Sequence, residues 1–291
     1  MESIKKVGIL YHPLIAPAAV LARELADFLE TRRVSVWLGS SWEEGKVRSQ
    51  MSETDLVLSV GGDGTILRSA QVVIGTGTPI IGVNLGKLGF MTELSAGEAT
   101  GHLPAILAGE GWIDERSMLE AVLPTSQPGQ CRNFYALNDI VVARGAIARV
   151  VNIEVTIDGE KSTDYTADGV ITATATGSTG YSLAAGGPIM YPQSKDFLLI
   201  PILPHLSLPY TLVLPEKTIV GIHVSTPYAA TLSIDGHTNL LLASGSTVTV
   251  KRSNYKTRFL RIHPETSFFS TLQQKLKGKR NANPGAESQN G

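Results

Sequence analysis

The run Gly61-Gly62-Asp63-Gly64-Thr65 constrains this 291-residue chain more than any other segment. It follows an apolar stretch, residues 55–60, that reads as a buried strand, and it opens a segment over 65–74 that reads as a helix. A glycine-rich turn between strand and helix lets backbone approach a phosphate closely, and the helix start adds free N–H groups and a positive dipole end. Asp63 is the odd member. A carboxylate beside a phosphate is repelled unless a metal lies between them or the carboxylate takes a proton from an attacking hydroxyl. The loop therefore suggests phosphoryl transfer with Asp63 in the chemistry. The plainer reading is a tight turn with Asp63 as helix N-cap, which needs fewer glycines than stand here. No Lys-Ser/Thr pair follows the last glycine, so this is not a Walker A loop, and the dinucleotide pattern G-x-G-x-x-G is absent.

The rest of the composition narrows the setting. A net charge of −1 gives no electrostatic case for nucleic acid or an anionic membrane. The 43% hydrophobic content fits a globular protein with a substantial core, and no apolar run is long enough to span a bilayer. One cysteine, Cys131, cannot form an internal disulfide, and no secretory signal is visible at residues 1–6, so a cytoplasmic location is expected. His12, His102, His205, His237 and His263 show no ligand spacing.

Strand and helix patterns alternate through the first hundred residues: strands at 7–11, 34–37, 55–60 and 79–83, helices at 18–32 and 65–74. This order predicts an α/β N-terminal domain with a mostly parallel sheet over residues 1–116, binding ligands at the strand C-terminal ends. From residue 117 the pattern becomes period-2, at 119–123, 140–143 and 152–157, and Asp158-Gly159 and Asp235-Gly236 read as hairpin turns. Residues 117–254 are expected to form an all-β, β-sandwich-like C-terminal domain. Residues 255–276 are expected to pack back on the first domain, and 277–291 to form a disordered tail.

Three further segments are candidates for a site. Asn84-Leu85-Gly86-Lys87-Leu88-Gly89-Phe90 follows the strand at 79–83, and a structural turn and a ligand loop fit it equally. Asn138-Asp139 could cap a turn, or bind an amide and a ribose. Residues 168–182 run from Asp168-Gly169 through alternating threonines to Thr176-Gly177-Ser178-Thr179-Gly180-Tyr181-Ser182. That ending is poor strand sequence and offers neutral donors suited to ribose and phosphate. Arg144 and Arg149 lie near the Asn-Asp pair in sequence and could meet a phosphate or simply be solvated.

The order and spacing of these segments, closed by Gly186-Gly187-Pro188 and Ile234-Asp235-Gly236, resemble the NAD kinase family over roughly residues 5–270. The glycine loop alone would also resemble diacylglycerol-type lipid kinases. The resemblance implies transfer of a phosphoryl group from ATP or polyphosphate to the 2′-hydroxyl of the adenosine ribose of NAD, with Mg²⁺ neutralising the donor phosphates. It implies that Asp63 is the general base, with Gly61, Gly62, Gly64 and Thr65 forming the phosphate loop. Gly64 and Arg68 would lie beside NAD, and Asn138 and Asp139 would hold substrate hydroxyl or amide groups. Arg149, Asp168, Thr176, Thr179, Gly180, Tyr181, Ser182, Leu183 and Ala184 would complete the NAD pocket. A homodimer or homotetramer is implied, with Tyr181 near a subunit boundary. The chain departs from the family pattern at Asp139, usually Glu, at Ala173 and Ala175, at Gly180, usually Ala, at residues 204–210, which lack an arginine, and at His237, usually Gln. The alternatives are a lipid kinase and a pyridine-nucleotide-binding protein without catalysis.

Overall fold

The computed structural model describes residues 4–86, 89–125, 127, 129–145, 150–205, 210–226, 228–265 and 267–278. The chain begins β1 (Lys6–Tyr11), α1 (Ala16–Glu30), β2 (Ser35–Ser40), α2 (Glu44–Arg48), β3 (Leu56–Val60), α3 (Asp63–Val73), β4 (Ile80–Asn84), β5 (Leu94–Ser95) and α4 (Ala96–Leu107). Strands then dominate: β6 (Trp112–Pro124), β7 (Cys131–Ala136), β8 (Asp139–Arg144), β9 (Val151–Ile157), β10 (Glu160–Ala167) and β11 (Gly169–Thr174). A short α5 (Tyr181–Ala184) precedes β12 (Phe197–Ile202), β13 (Leu212–Leu214), β14 (Ile219–Val224), β15 (Ala230–Ile234), β16 (Thr238–Leu242), β17 (Thr247–Arg261) and α6 (Ser267–Gly278).

The N-terminal part is the expected parallel sheet, in the order β4-β3-β1-β2. Strands β1, β3 and β4 are apolar on both faces because helices cover both, whereas the edge strand β2 is partly exposed. Ile9, Leu56 and Leu58 point toward α1 and α4, whose Leu21, Leu25, Leu29, Leu103 and Ile106 share that core. Leu10 and Val57 point the other way, into a core with Val47 of α2 and Ile66, Ala70 and Val73 of α3. The period-2 alternation of side chains in a strand produces this division.

The same sheet continues through β17, which pairs with β4 in parallel at Phe259–Ile80, and onward through β14, β9 and β10 in antiparallel order. Strands β6 and β7 attach to it through β17. A second sheet, β13-β12-β11-β8-β15-β16, is antiparallel throughout. The two sheets pack face to face: Ile153, Val155, Val220 and Ile222 of the first meet Ile140, Val142, Val170, Phe197 and Leu232 of the second. Residues 116/117 fall inside β6 and residues 254/255 inside β17, so these two long strands belong to both halves of the molecule.

The Asp-Gly turns lie where the sequence puts them. Asp158 and Gly159 have φ of 52° and 87°, and Asp235 and Gly236 have 50° and 69°, the left-handed region that a tight hairpin needs. The helix at the glycine loop starts at Asp63 rather than 65, with Gly62 as its N-cap, so Asp63 is not a cap but a first-turn residue. Helix α6 runs on to Gly278, and the rest of the expected tail, 279–291, lies outside the described residues. Among the described residues no helix is long and apolar enough to cross a membrane.

Candidate active site

Strand β3 delivers the glycine loop to the C-terminal edge of the parallel sheet. Gly61 donates its N–H to Val83 of β4 at 2.9 Å, and Gly62 offers its carbonyl to the N–H groups of Thr65 and Ile66. A side chain at 61 would lie 2.1 Å from the Thr65 hydroxyl, so close approach alone requires glycine there. The partly buried Asp63 carboxylate accepts one N–H on each oxygen, from Phe90 at 2.8 Å and Met91 at 3.1 Å. The two loops that sequence analysis treated separately are thus joined through this carboxylate. Asn84 holds the second loop at its start by accepting the Gly86 N–H at 2.8 Å and bonding the Thr92 hydroxyl, which in turn accepts the Gly89 N–H. Gly89 lies against Asp63, where a Cβ would sit 2.0 Å from its Oδ1. Lys87 lies outside the described residues.

The Asn138-Asp139 pair opens β8 and is held by a residue not expected in the site. The buried carboxylate of Asp235, in the β15–β16 turn, accepts the N–H groups of Leu137 at 2.9 Å, Asn138 at 2.7 Å and Asp139 at 3.1 Å. Gln71 of α3 reaches the same carboxylate at 3.5 Å and the Tyr135 carbonyl at 2.7 Å. Helix α3 thereby connects the glycine loop to the second sheet. Burial pushes the Asp235 carboxyl up, against the lowering effect of its three N–H donors. Burial, and then the charge of Asp235, push Asp139 up to about 7.

This has a stability consequence. Asp139 is raised above its unfolded value, so the folded state holds its proton more tightly. The resulting loss of stability grows as pH rises from about 4 to about 7 and is complete above that. Asp139→Asn removes the titration. Relative to wild type it should gain on the order of 2 kcal/mol at pH 8 and much less at pH 5, as read by thermal melts at the two pH values.

The loop after β11 packs on the backbone of Asn138. Thr174 N–H bonds the Asn138 carbonyl at 2.9 Å, and a Cβ on Gly177 would lie 2.1 Å from that oxygen. Gly180 faces the Asn138 amide, its Cβ position 3.5 Å from Nδ2 and 4.0 Å from Asp139 Oδ2. The hydroxyls expected to serve a ligand are largely used within the loop: Thr174 donates to Leu137, Ser178 to Ala175 and Thr179 to Thr176. Thr176 accepts from Arg116 at 3.3 Å. Two buried polar atoms here have no partner, Asn138 Oδ1 and Ser182 Oγ. Tyr181 and Ala184 are exposed and Leu183 half-buried.

Asp168 does not join this cluster within one chain. Asp168 precedes β11 while Thr176 follows it, so the strand separates them by roughly 20 Å. Asp168 instead pairs with Arg144 at 3.2 Å. Arg149 lies outside the described residues. Arg68 has its guanidinium over the Trp42 ring, 5.0 Å from its centroid.

A buried ionic network adjoins the site, and sequence analysis missed it. Asp114 and Arg116 share one face of β6, bonded at 2.6 Å, and Arg261 at the end of β17 bridges Asp114 at 3.2 Å and Glu93 at 3.1 Å. Arg261 also donates to the Met91 carbonyl at 2.8 Å, one peptide from the group that bonds Asp63. Burial raises the Asp114 carboxyl, but the bond and charge of Arg116, with Arg261, hold it below the usual range. The sequence signal was opposite charges two residues apart in a strand, which share a face. A cavity of about 200 Å³ opens beside Phe90, Arg116 and Tyr191.

A carboxylate at the start of a helix, in a glycine turn at the edge of a parallel sheet, together with an amide–carboxyl pair on a facing sheet, is an arrangement suited to phosphoryl transfer. Residues 7–111 match the model of the ATP-NAD kinase N-terminal domain and residues 137–262 that of the ATP-NAD kinase C-terminal domain. The chain belongs to the ATP-NAD kinase family. It is 50% identical to an NAD kinase of Dehalococcoides mccartyi, over 94% of this chain and 96% of that one. Identity to an NAD kinase of Chloroflexus aurantiacus is 40%, over 94% and 99%. Among solved structures, yeast NADH kinase complexed with NADH superposes with a TM-score of 0.80 at 25% identity, covering 99% of this chain and 91% of that one. An NAD kinase from Archaeoglobus fulgidus in complex with ATP gives 0.74 at 25% identity, covering 92% and 98%. A lipid kinase sharing only the glycine loop would leave the match over 137–262 without a cause.

Proposed function

We propose that this chain transfers the terminal phosphoryl group of ATP or polyphosphate to the 2′-hydroxyl of the adenosine ribose of NAD, producing NADP. The observation that carries this reading is the Asp63 carboxylate, held by two backbone N–H groups inside a phosphate loop whose family match extends over both sheets. Bonding Phe90 and Met91 leaves a lone pair on each oxygen to accept a proton. Asp63 takes the 2′-hydroxyl proton as that oxygen bonds phosphorus and the bond to the donor's bridging oxygen breaks, releasing the shortened donor.

Asn138 and Asp139 bind the acceptor, with Thr176 and residues 179–184 forming the wall around it. The unpartnered Asn138 Oδ1 and Ser182 Oγ support a polar ligand there. Asp168, at the far end of β11, reaches NAD from a second copy in a homodimer or homotetramer. Mg²⁺ would neutralise the donor phosphates. Among the described residues no group of three or more His, Cys, Asp or Glu could hold a metal, and a lone loop carboxylate fits an ion that arrives on the triphosphate. The reaction belongs in the cytoplasm, in keeping with a lone exposed thiol.

The test is NADP formation by purified protein given NAD, Mg²⁺ and either ATP or polyphosphate, read through an NADP-specific dehydrogenase, with diacylglycerol as a competing acceptor. NADP production unaffected by the lipid supports the reading, and lipid phosphorylation without NADP overturns it. Gly89→Ala should lower kcat at least about 10-fold, because its methyl displaces the Asp63 carboxylate by a substantial fraction of an ångström. Steady-state kinetics on that variant check the contact.

A further inference from the structure

The buried charges beside the site lie mainly on β6 and β17, the two strands that both halves of the molecule share. Asp114 and Arg116 project from one face of β6, and the β6–β17 register sets Asp114 opposite Phe259 and Trp112 opposite Arg261. Arg261 is thereby the diagonal neighbour of Asp114. Both guanidiniums stand over the buried Phe259 ring, at 4.7 Å for Arg261 and 5.6 Å for Arg116. Glu93 completes the set, so two buried acids face two buried bases. Such a set is a weak source of stability compared with apolar residues of the same volume, so what it reaches beyond itself is the informative feature.

It reaches the site in two directions. Toward the glycine loop, Arg261 Nη1 donates to the Met91 carbonyl at 2.8 Å and to Glu93 at 3.1 Å, while its Nε donates to Asp114 at 3.2 Å. Glu93 accepts the N–H groups of Ile262 at 2.9 Å and His263 at 2.8 Å, and its own N–H bonds Gly82 of β4 at 2.9 Å. Residues 91 and 93 are therefore clamped to the end of β17, and Met91 carries both the clamped carbonyl and an N–H that holds Asp63. Toward the acceptor wall, Arg116 Nη1 donates to the Thr176 hydroxyl at 3.3 Å, and Gln193 Nε2 donates to Asp114 Oδ1 at 3.3 Å. Thr176 and Gln193 bracket the segment that carries residues 179–184. Asp114 joins the two directions, accepting from Arg116, Arg261 and Gln193.

We propose that Arg261 and Arg116 are positioning residues for phosphoryl transfer, joined through Asp114. Arg261 aims the Asp63 carboxylate by fixing Met91, and Arg116 sets the acceptor wall by fixing Thr176. This rests on the kinase reading and deepens it. The two arginines then have separable kinetic effects. Loosening Arg261 misplaces the base and lowers kcat, while loosening Arg116 slackens the pocket and raises the KM for NAD. A network that only held the strands together would lower the melting temperature and leave both constants of the folded protein unchanged.

Steady-state kinetics on Arg261→Lys and Arg116→Lys test it, with thermal melts to establish that each variant folds. Lysine keeps the charge but offers one ammonium in place of a planar fork, so it cannot hold the same acceptors together. Arg261→Lys should lower kcat about 10-fold with the KM for NAD within about twofold. Arg116→Lys should raise the KM for NAD about fivefold with kcat within about twofold. Because Arg261 acts through Asp63, its effect on kcat should shrink to less than about twofold in the Asp63→Asn background. An equal loss in both backgrounds, or an unchanged kcat in folded Arg261→Lys, overturns the role of Arg261, and an unchanged KM in folded Arg116→Lys overturns that of Arg116. Should Arg261→Lys not fold, Glu93→Gln loosens the same guanidinium and should lower kcat about threefold, and an unchanged kcat there overturns the role. If wild type forms no NADP from any donor, the kinase reading fails, and amide hydrogen exchange still decides the clamp. The Phe90 and Met91 N–H groups should exchange at least about 10-fold faster in Arg261→Lys than in wild type, and equal rates overturn it.

Discussion

Asp63→Asn is expected to lower kcat by roughly 10² to 10⁴ while leaving NAD affinity within about threefold. The amide is the same shape as the carboxylate but cannot take a proton, so the chemical step loses its base. The substitution also has a structural cost that a general-base role alone would not predict. Both carboxylate oxygens accept a backbone N–H, from Phe90 and Met91, and the Asn amide nitrogen cannot accept either. One donor is left facing an NH₂ group, which costs about 1–3 kcal/mol. The expected result is therefore a modest fall in melting temperature with a large fall in turnover. Near-normal turnover would refute the general-base role, and a lost NAD affinity would show that Asp63 acts mainly by shaping residues 89–91.

Asp235→Ala should be the most destabilising single change near the site. It removes the acceptor of three backbone N–H groups, on Leu137, Asn138 and Asp139, at a buried turn. Each buried donor left unpaired costs about 1–3 kcal/mol, offset in part by relieving the burial of a carboxyl. A net loss of about 3 kcal/mol is expected, with kcat/KM for NAD falling roughly 10- to 100-fold as Asn138 and Asp139 lose their fixed positions. Asp235→Asn keeps one acceptor oxygen and should fall between. Urea denaturation and NAD kinetics on both variants check this, and wild-type stability in Asp235→Ala would show that Asp235 does not hold the pair.

The sequence made these contacts legible to different degrees. The parallel sheet was readable because its strands alternate between two apolar cores, as Ile9 and Leu10 do, and because helix spacing through Leu21, Leu25 and Leu29 is regular. The Asp-Gly hairpins were readable from turn chemistry alone. The continuous sheet was not, because β6 and β17 carry charged residues on a buried face. Asp114, Arg116 and Arg261 look solvent-facing until their mutual pairing is seen, and that pairing spans some 150 positions of chain. Proximity in sequence also misled: Asp168 and Thr176 sit in one motif, yet a six-residue strand separates them. Asp235 was recognised as a turn residue, but its carboxylate's hold on Asn138 depends on a partner almost a hundred residues away. The link between Asp63 and the Gly89–Met91 backbone was hidden for the same reason.

The measurement that bears most directly on the central claim is phosphorus NMR of the product formed from NAD, ATP and Mg²⁺ by wild type and by Asp63→Asn. The account predicts a new phosphomonoester resonance on the 2′-position of the adenosine ribose with wild type, and its near-absence over the same interval with the variant. A phosphoryl group at any other position, or equal accumulation of the 2′-phosphate by Asp63→Asn, would contradict it.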